Sequence, residues 1–260
     1  MPMNPFGLPA ASGQGDGTAY TMNFINNSNN DWNFCCYQKD PGILAQGAYS
    51  AAWFVAQTVH PTTQAKFSWT IDYGLSWAQS GVVGPGIIYD ASQNWSVTYA
   101  LNTVTLTKKG GSYTFENQKE QNPTNAFMIL QDSTVVRENN VGVGISMVVR
   151  GSGASGLNTI YVQAAQPNVT TQFYVTPKYY VVFMQDIQAS EILDVQNMTN
   201  TVEVAYAPGV TSMVATLDSQ NQWRVGTTAS LNAAVRTARA TKPETAMAEI
   251  AEDVHPVVTA

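Results

Sequence analysis

The chain of 260 residues carries a net charge of −6 at pH 7, and its pI is about 4.8. This acidic balance argues against a nucleic-acid partner, which would be held by basic side chains on its phosphates. Only 12% of the residues are charged, about half of the roughly 25% in an ordinary soluble domain, and 20 asparagines and 18 glutamines supply the missing polarity. Uncharged amides keep a surface wet without the repulsion that separates copies, so the composition favours self-association.

Residues 1–19 are rich in proline, glycine and serine and predict an N-terminal arm without secondary structure. The arm has neither the basic region nor the apolar core of a secretory signal. No apolar stretch of the chain reaches the ~20 residues that are needed to span a bilayer. We therefore expect a cytoplasmic protein with no membrane partner, in which an ordered arm would lie on its own domain or on a neighbouring copy.

Residues 20–226 predict a body made of short strands that are separated by turns. Its first strands are Tyr20–Ile25, Trp32–Gln38 and Ala52–Val59, and an amide-rich turn cluster joins the first two. Later strands are predicted at 87–89, 96–99, 104–107, 113–116, 127–131, 141–149, 157–164, 171–175, 179–185, 192–195, 202–205, 213–217 and 222–225. Gly142 and Gly144 lie inside one of these strands and indicate a bulge or a close backbone approach.

The strongest predicted element is the stretch from Phe67 to Trp77. Apolar side chains, most of them large, occupy every odd position, and smaller or polar residues stand between them. A period of two over eleven residues is typical of a strand with one buried face. The aromatic rings on that face need a second sheet to cover them, so the stretch predicts the spine of a β-sandwich.

Beyond residue 226 the composition changes. Residues 228–240 are rich in alanine, which has the highest helix propensity, and Thr241–Glu244 fits a capping box that starts a second helix. The tail 227–260 is too short and too polar to fold alone, so it is expected to be disordered or docked on the body or on another subunit. The predicted fold is all-β, an antiparallel β-sandwich with an extended N-terminal arm and a helical C-terminal tail.

The sequence contains no familiar catalytic motif. His60 and His255 each precede a proline, and neither lies near a serine or cysteine in a nucleophile context. Cys35 and Cys36 are adjacent and predict two reduced thiols, one buried and one partly buried, on opposite faces of a strand. Asp72 predicts a solvent-facing or hydrogen-bonded carboxylate on the spine. We expect no enzymatic activity, no metal and no cofactor.

Two patterns raise the question of a ligand. The glycine-rich loop at 151–156 leads into a predicted strand, whereas a phosphate-binding loop opens a helix, so no nucleotide is expected there. The six tryptophans suggest carbohydrate binding, because exposed aromatic faces can stack on sugars, but four of them occupy apolar strand positions that predict core. Trp95 follows a polar turn, and Trp95, Asn94 and Asp90 are the candidate ligand-binding residues for a carbohydrate partner.

Several long motifs resemble the RhiA (rhizosphere-induced protein) family of bacteria across residues 20–226. They are SAAWF at 50–54, PTT at 61–63, FSWTIDY at 67–73, SW at 76–77, PG at 85–86, ASQNW at 91–95, QDST at 131–134, VGVGI at 141–145, AQPN at 165–168, LDV at 193–195 and NQW at 221–223. The arm and the tail lie outside the resemblance. The resemblance implies a cytoplasmic β-protein made in quantity by plant-associated bacteria, and it supplies no catalytic residues.

These observations favour two functions. The first is a non-enzymatic structural protein that assembles with copies of itself into a homo-oligomer, filament, tube or inclusion, its arm and tail docking on neighbours. Low charge, amide-rich turns and strand edges available for pairing support it, and repeated head-to-tail contacts would give open polymers. The second is a lectin-like carbohydrate-binding module that uses the patch near Trp95. An enzyme would need a cleft with paired carboxylates, or His60 set against an acid.

Overall fold

The computed structural model describes residues 18–39, 47–151, 154–175 and 178–232. Strands account for 55% of the described residues and helical residues for 4%, which confirms the prediction of a mostly β protein. A 3-10 turn lies at Arg137–Asn139. The described strands, numbered in chain order, are β1 (Tyr20–Asn26), β2 (Trp32–Gln38), β3 (Ala48–Ser50), β4 (Phe54–Val59), β5 (Gln64–Ala78), β6 (Gln93–Val97), β7 (Thr103–Lys109), β8 (Ser112–Lys119), β9 (Phe127–Gln131), β10 (Gly142–Gly151), β11 (Ala154–Ala164), β12 (Val169–Phe173), β13 (Tyr179–Met184), β14 (Val202–Val204), β15 (Ser212–Leu217) and β16 (Trp223–Gly226).

The described strands form three sheets. The large sheet has eight strands in the order β16-β15-β1-β5-β10-β11-β3, with β6 also paired to β5. The two small sheets have the orders β12-β9-β7-β8 and β14-β13-β2-β4. Most neighbours are antiparallel, as predicted, but β1 pairs parallel with β15 and β7 pairs parallel with β9. Parallel neighbours cannot be joined by a tight hairpin, so the sequence contains no turn motif from which these two pairs could be predicted.

The predicted spine is β5, which is 15 residues long. β1 pairs with its first part, up to Trp69, and β6 pairs with its second part, from Tyr73 onward. Between these two partners the register with β10 shifts, and Thr70 Oγ1 donates a hydrogen bond to Asp72 Oδ2 at 2.6 Å. The hydrogen-bonded carboxylate predicted at Asp72 is therefore confirmed, and it lies where β5 passes from one partner strand to the next.

Both small sheets pack on the face of β5 that carries its odd-numbered side chains. The Trp69 Nε1 group donates to Tyr179 Oη of β13 at 3.1 Å. Tyr73 instead packs on Phe127 of β9, with 4.9 Å between the ring centroids. Buried residues from all three sheets belong to one hydrophobic cluster. Burial of a large apolar side chain stabilises a fold by ~1.5–3 kcal/mol. Because the aromatic side chains of β5 are buried against both small sheets, they stabilise the packing of all three sheets.

Three short segments differ from the sequence prediction. β3 is a strand of three residues where none is predicted. The predicted strands at 87–89 and 192–195 are isolated bridges, in which Ile88 pairs with Glu191 and Ile192 pairs with Ala51. An extended segment that pairs for one residue has the same local pattern as a short strand. Alternation in the sequence therefore does not distinguish the two.

The chain ends lie mostly outside the described residues. Of the predicted arm, only Thr18 and Ala19 are described, so its course stays a prediction. The predicted tail helix begins with a helical turn at 228–232, where Thr227 Oγ1 accepts a hydrogen bond from the Ser230 N–H group at 3.1 Å as an N-cap. A Cβ atom on Gly226 would lie 2.6 Å from Ser230 Oγ, so the helical turn begins directly against the last residue of β16. The remainder of the tail, from 233 onward, lies outside the described part.

Candidate functional site

The predicted ligand-binding residues lie on different surfaces. Trp95 of β6 pairs with Leu75, so its ring lies on the core side, where it packs against Phe115 with 6.0 Å between the centroids. Asn94 is the preceding residue of the same strand and points to the opposite face. Asp90 is exposed in the loop before the strand. The structure therefore does not bring Trp95 and Asn94 together as one platform, and sugar binding by these residues stays a prediction.

Asn94 lies at one end of a hydroxyl network on the outer face of the large sheet. Its Oδ1 atom accepts a hydrogen bond from Ser146 Oγ at 3.2 Å, and Ser146 Oγ lies 3.1 Å from Thr159 Oγ1 and 3.4 Å from Ser76 Oγ. Tyr89 Oη, from the loop that covers this face, lies 3.3 Å from Ser76 Oγ. Apart from Asn94, all of these side chains are buried. The network joins β6, β5, β10 and β11 to the covering loop, so its role is structural.

Amides inside the fold hold loops in place. The buried Asn102 donates from Nδ2 to the carbonyls of Gln121, Pro123 and Ala126 at 2.9, 3.2 and 2.9 Å, and its Oδ1 accepts the Gln121 N–H group at 2.9 Å. Asn26, also buried, makes a similar set of bonds around the turn after β1. The composition alone indicates amides at the surface. The structure adds that some side-chain amides are buried, where they form hydrogen bonds with backbone groups of loops that have no partner in a neighbouring strand.

The adjacent cysteines are both fully buried, at 0% and 1% exposure, whereas the sequence predicts that one of the two thiols is only partly buried. Cys36 belongs to the central hydrophobic cluster and Cys35 to a second cluster, which confirms that they face opposite sides of β2. Burial raises the pKa of both thiols, and the neighbouring Cys36 and Glu191 raise that of Cys35 further. A nucleophilic cysteine needs a lowered pKa and access to solvent, so these thiols act as packed apolar groups.

The acid–base groups of the described residues are dispersed. His60 Nδ1 lies 3.0 Å from Asp31 Oδ1, and both side chains are more than half exposed, so the pair contributes little to stability. No cluster of three or more histidine, cysteine, aspartate or glutamate side chains suited to a metal occurs in the part of the chain that the structure describes. None of its described helices is long and apolar enough to cross a membrane. His255 lies outside this part.

An amide-lined groove of about 480 Å³ runs beside the β14-β13-β2-β4 sheet. Its polar side chains come from β2, β4 and the loop that follows β13, and they are Asn33, Gln57, Thr58, Gln185, Asp186, Gln188 and Glu191. These residues are far apart in sequence and form no motif, so sequence reasoning does not find them. Only the pairing of β2 with β4 and the return of the loop place them together.

A backbone irregularity shapes this groove. Thr58 has a φ of 52°, a left-handed conformation that is uncommon for a β-branched residue. Asn33 stabilises it, because its Oδ1 atom accepts the Thr58 N–H group at 2.8 Å while its Nδ2 atom donates to the Gln185 carbonyl at 2.6 Å. Strained residues of this kind cluster at binding sites. The groove is therefore a stronger candidate for a small polar ligand than the separated residues around Trp95.

Two strands at the ends of the small sheets, β4 and β12, contain no charged residue. Edge strands of soluble proteins usually carry lysine, proline or a bulge, which prevents pairing with another chain. β4 has such an irregularity at Thr58, where its register with β2 shifts. β12 keeps a regular register with β9 along its whole length. β12 therefore retains the features of a strand that can accept a partner.

The fold and these sites define a mostly β protein whose buried polar groups organise strands and loops. The RhiA family model matches residues 17–228, so the chain belongs to the RhiA family. Protein RhiA of Rhizobium leguminosarum bv. viciae is 28% identical over 220 residues, which cover 84% of this chain and 90% of that protein. The family resemblance seen across residues 20–226 is thus confirmed. No solved structure matches the chain.

Proposed function

We propose that this protein is a non-enzymatic structural protein that associates with copies of itself in the cytoplasm. The observation that carries the proposal is the uncharged and regular sheet edge of β12, in a chain with only 12% charged residues. Copies that meet at such edges can pair their backbone groups without repulsion between like charges. In this proposal the extensions 1–19 and 227–260 connect further copies, which would extend the assembly into a filament, tube or inclusion.

The subunit proposed for this assembly is a β-sandwich. Its support is the hydrophobic cluster that buried residues of the large sheet share with those of both small sheets. Two sheets packed face to face bury their inner side chains but leave the backbone groups of their end strands unpaired. Assembly through edges therefore needs no change in the core of the subunit.

Size-exclusion chromatography with light scattering tests the self-association. The full-length protein should have an apparent mass above the 28.1 kDa of one chain, and this mass should rise with concentration because association is bimolecular. Negative-stain microscopy then separates closed oligomers from polymers. A protein that stays monomeric at high concentration contradicts the proposal. Removal of 228–260 should lower the assembly state, and an unchanged state would exclude the tail from the contacts.

A lectin-like carbohydrate-binding module is the second candidate, and the amide-lined groove is the observation that favours it. Its amides and carboxylates can donate to and accept from sugar hydroxyls, although its lining residues include no aromatic ring to stack on a sugar. A glycan array followed by titration calorimetry tests this function. Gln188→Ala should weaken any binding, and Gln196→Ala, outside the groove, should not. Absence of binding to every glycan would exclude it.

A further inference from the structure

We propose that β12 is the strand through which two copies of this protein pair, edge to edge and antiparallel. The four-stranded sheet β12-β9-β7-β8 would then continue into the same sheet of a second copy. This inference rests on the proposed self-association and identifies its contact surface. Four properties of β12 support the proposal. They are the direction of its backbone groups, its lack of charge, its exposed apolar side chains and the length that defines the register of the pair.

The backbone groups that β12 directs away from its sheet follow from the hydrogen bonds of β9. Met128 and Asp132 donate their N–H groups toward β7, at 2.8 and 3.2 Å. Alternate residues of a strand direct their backbone groups to opposite sides, so the odd-numbered residues of β9 face β12. Phe127, Ile129 and Gln131 pair there with Phe173, Thr171 and Val169. The N–H and C=O groups of the two intervening residues of β12, Thr170 and Gln172, therefore point outward.

Within the described residues, no backbone partner is found for the outward groups of Thr170 and Gln172. Thr170 is exposed and Gln172 is half-buried. A row of unpaired donors and acceptors on an accessible edge is the template on which another strand adds to a sheet. The edge of β12 is therefore both accessible and incomplete in hydrogen bonding.

The composition of β12 favours a second copy as the partner. Residues 169–175, VTTQFYV, contain no charge, no proline and no glycine, which is the composition of segments that pair with themselves. Pairing of a strand with its own copy brings like residues close to each other across the two-fold axis, and like charges there are destabilising. A neutral strand avoids this repulsion.

Other strands at the sheet ends are less suited to pairing with themselves. Glu116 and Lys119 lie in β8, Glu203 lies in β14 and Arg224 lies in β16. β4 is neutral, but the left-handed Thr58 interrupts its edge. Charges and irregularities of this kind are the usual protection of edge strands.

The two remaining end strands are covered by other parts of the chain. Beside β3, the Leu193 N–H group donates to the Ser50 carbonyl at 2.8 Å. Beside β6, the Gln118 side chain donates to the Ser96 carbonyl at 2.8 Å. Among the described strands this leaves β12 as the regular and neutral edge.

Two exposed apolar side chains lie at the ends of β12. Val169 is 38% exposed and Tyr174 is 40% exposed. A second copy paired along the strand would cover part of both, because side chains on neighbouring strands contact each other directly and diagonally. The contact would thus bury apolar surface in addition to pairing backbone groups.

The length of β12 defines the register of the pair. Thr171 is the middle residue of the strand, so a two-fold axis at Thr171 overlaps the whole of both strands. In this register Thr170 of one copy lies opposite Gln172 of the other, and the outward N–H and C=O groups of each meet those of its counterpart. Such a hydrogen-bonded pair has its Cα atoms about 5.5 Å apart.

A charge on the edge tests the surface. Thr170→Lys places two lysines near each other in the proposed pair and should shift the apparent mass in light scattering toward one chain. Thr170→Val keeps the backbone groups and the neutral edge, so it should associate like the unchanged protein. Gln57→Lys puts the same charge on the other neutral edge, β4, and should leave this pair intact. Circular dichroism and urea unfolding check that each variant is folded.

Disulfide trapping tests the register. A mixture of the single variants Thr170→Cys and Gln172→Cys should form a cross-linked dimer under mild oxidation, because Cα atoms about 4.4–6.8 Å apart can be bridged. Each variant alone should form little, since its own cysteines would be diagonal neighbours. The native Cys35 and Cys36 are fully buried and do not compete.

The outcomes separate this inference from the proposed function. If the unchanged protein associates and Thr170→Lys associates equally well, β12 is not the contact, although self-association stands. Dissociation by Gln57→Lys instead would assign the contact to β4. If the unchanged protein is monomeric at every concentration, the proposed function fails and the inference fails with it. Loss of association in Thr170→Lys alone, together with the mixed disulfide, supports both.

Discussion

Gly142 and Gly144 of β10 lie in close contact with neighbouring parts of the chain. A Cβ atom on Gly144 would lie 2.8 Å from the carbonyl oxygen of Tyr161, and one on Gly142 would lie 2.8 Å from the ring of Tyr89. A carbonyl oxygen of a neighbouring strand cannot rotate away as a side chain can. The predicted close backbone approach is confirmed at Gly144, whereas the neighbour of Gly142 is the Tyr89 side chain. At both positions a side chain would collide with its neighbour.

We predict that Gly144→Ala destabilises the protein by about 1–3 kcal/mol, the usual cost of adding an atom to a packed interior. Urea unfolding measures the change through the midpoint of the transition. Gly84→Ala is the matched control, because a Cβ atom there has no neighbour within 4 Å, and it should leave the midpoint nearly unchanged. Equal effects of the two substitutions would contradict the steric account.

The two thiols give a second prediction at this scale. Cys35 and Cys36 are buried, and burial raises the pKa of both. Because a thiol reacts as its thiolate, we expect almost no labelling by an aromatic disulfide reagent at mildly alkaline pH in the native protein. After unfolding in urea both thiols should react. Rapid labelling of the native protein would show that β2 opens locally.

At the scale of elements, side-chain amides determine where several loops lie. The loop between β8 and β9 receives hydrogen bonds from one residue, Asn102, which binds the carbonyls of Gln121, Pro123 and Ala126. The sequence contains 20 asparagines. The residues around Asn102 do not indicate that it is buried or which carbonyls it binds. Its role depends on the loop returning to the start of β7.

We therefore predict that Asn102→Ala destabilises the protein by about 1–3 kcal/mol, because buried carbonyls lose their donor. Hydrogen exchange should also become faster at the Gln121 amide, which donates to Asn102 Oδ1. Asn125→Ala, an exposed position in the same loop, is the control and should change neither quantity. Unchanged exchange at Gln121 in the Asn102 variant would show that other contacts hold the loop.

On the scale of the whole molecule, the aromatic core makes the fold sensitive to alkaline pH. Burial raises the pKa of Tyr37 to about 12. Burial also raises the pKa of Tyr73, Tyr89, Tyr179 and Tyr206. A tyrosine whose pKa is raised on folding stabilises the folded state fully below its unfolded pKa near 10, and this stabilisation is lost as pH rises through the folded pKa.

We expect the free energy of unfolding to fall steadily as pH rises above about 10. Urea titrations at increasing pH measure this fall, and the part of the phenolate absorbance that comes from the buried tyrosines should increase only as the chain unfolds. Tyr37→Phe removes one titrating group and should make the pH dependence shallower between about 10 and 12. A pH dependence identical to that of the unchanged protein would show that Tyr37 ionises without unfolding.

The sequence by itself determined the mostly β composition, the family and most strand positions, including the spine on β5. These features are local: alternation of apolar and polar side chains over a few residues is enough to favour a strand and to define its buried face. The opposite faces of Cys35 and Cys36 follow from the same alternation. For Asp72 the alternation predicts a solvent-facing or hydrogen-bonded carboxylate, and the structure shows the hydrogen bond from Thr70. The same rule places Trp95 and Asn94 on different surfaces, because they are consecutive residues of one strand.

Only the tertiary structure decided the order of the strands, the parallel pairs of β1 with β15 and β7 with β9, the groove and the identity of the sheet edges. Each depends on pairing between segments far apart in the chain, and a strand at an edge has the same local pattern as one inside a sheet. The neutral composition of VTTQFYV is visible in the sequence. Its importance arises because β9 covers one side of β12 and, among the described strands, none pairs with the other.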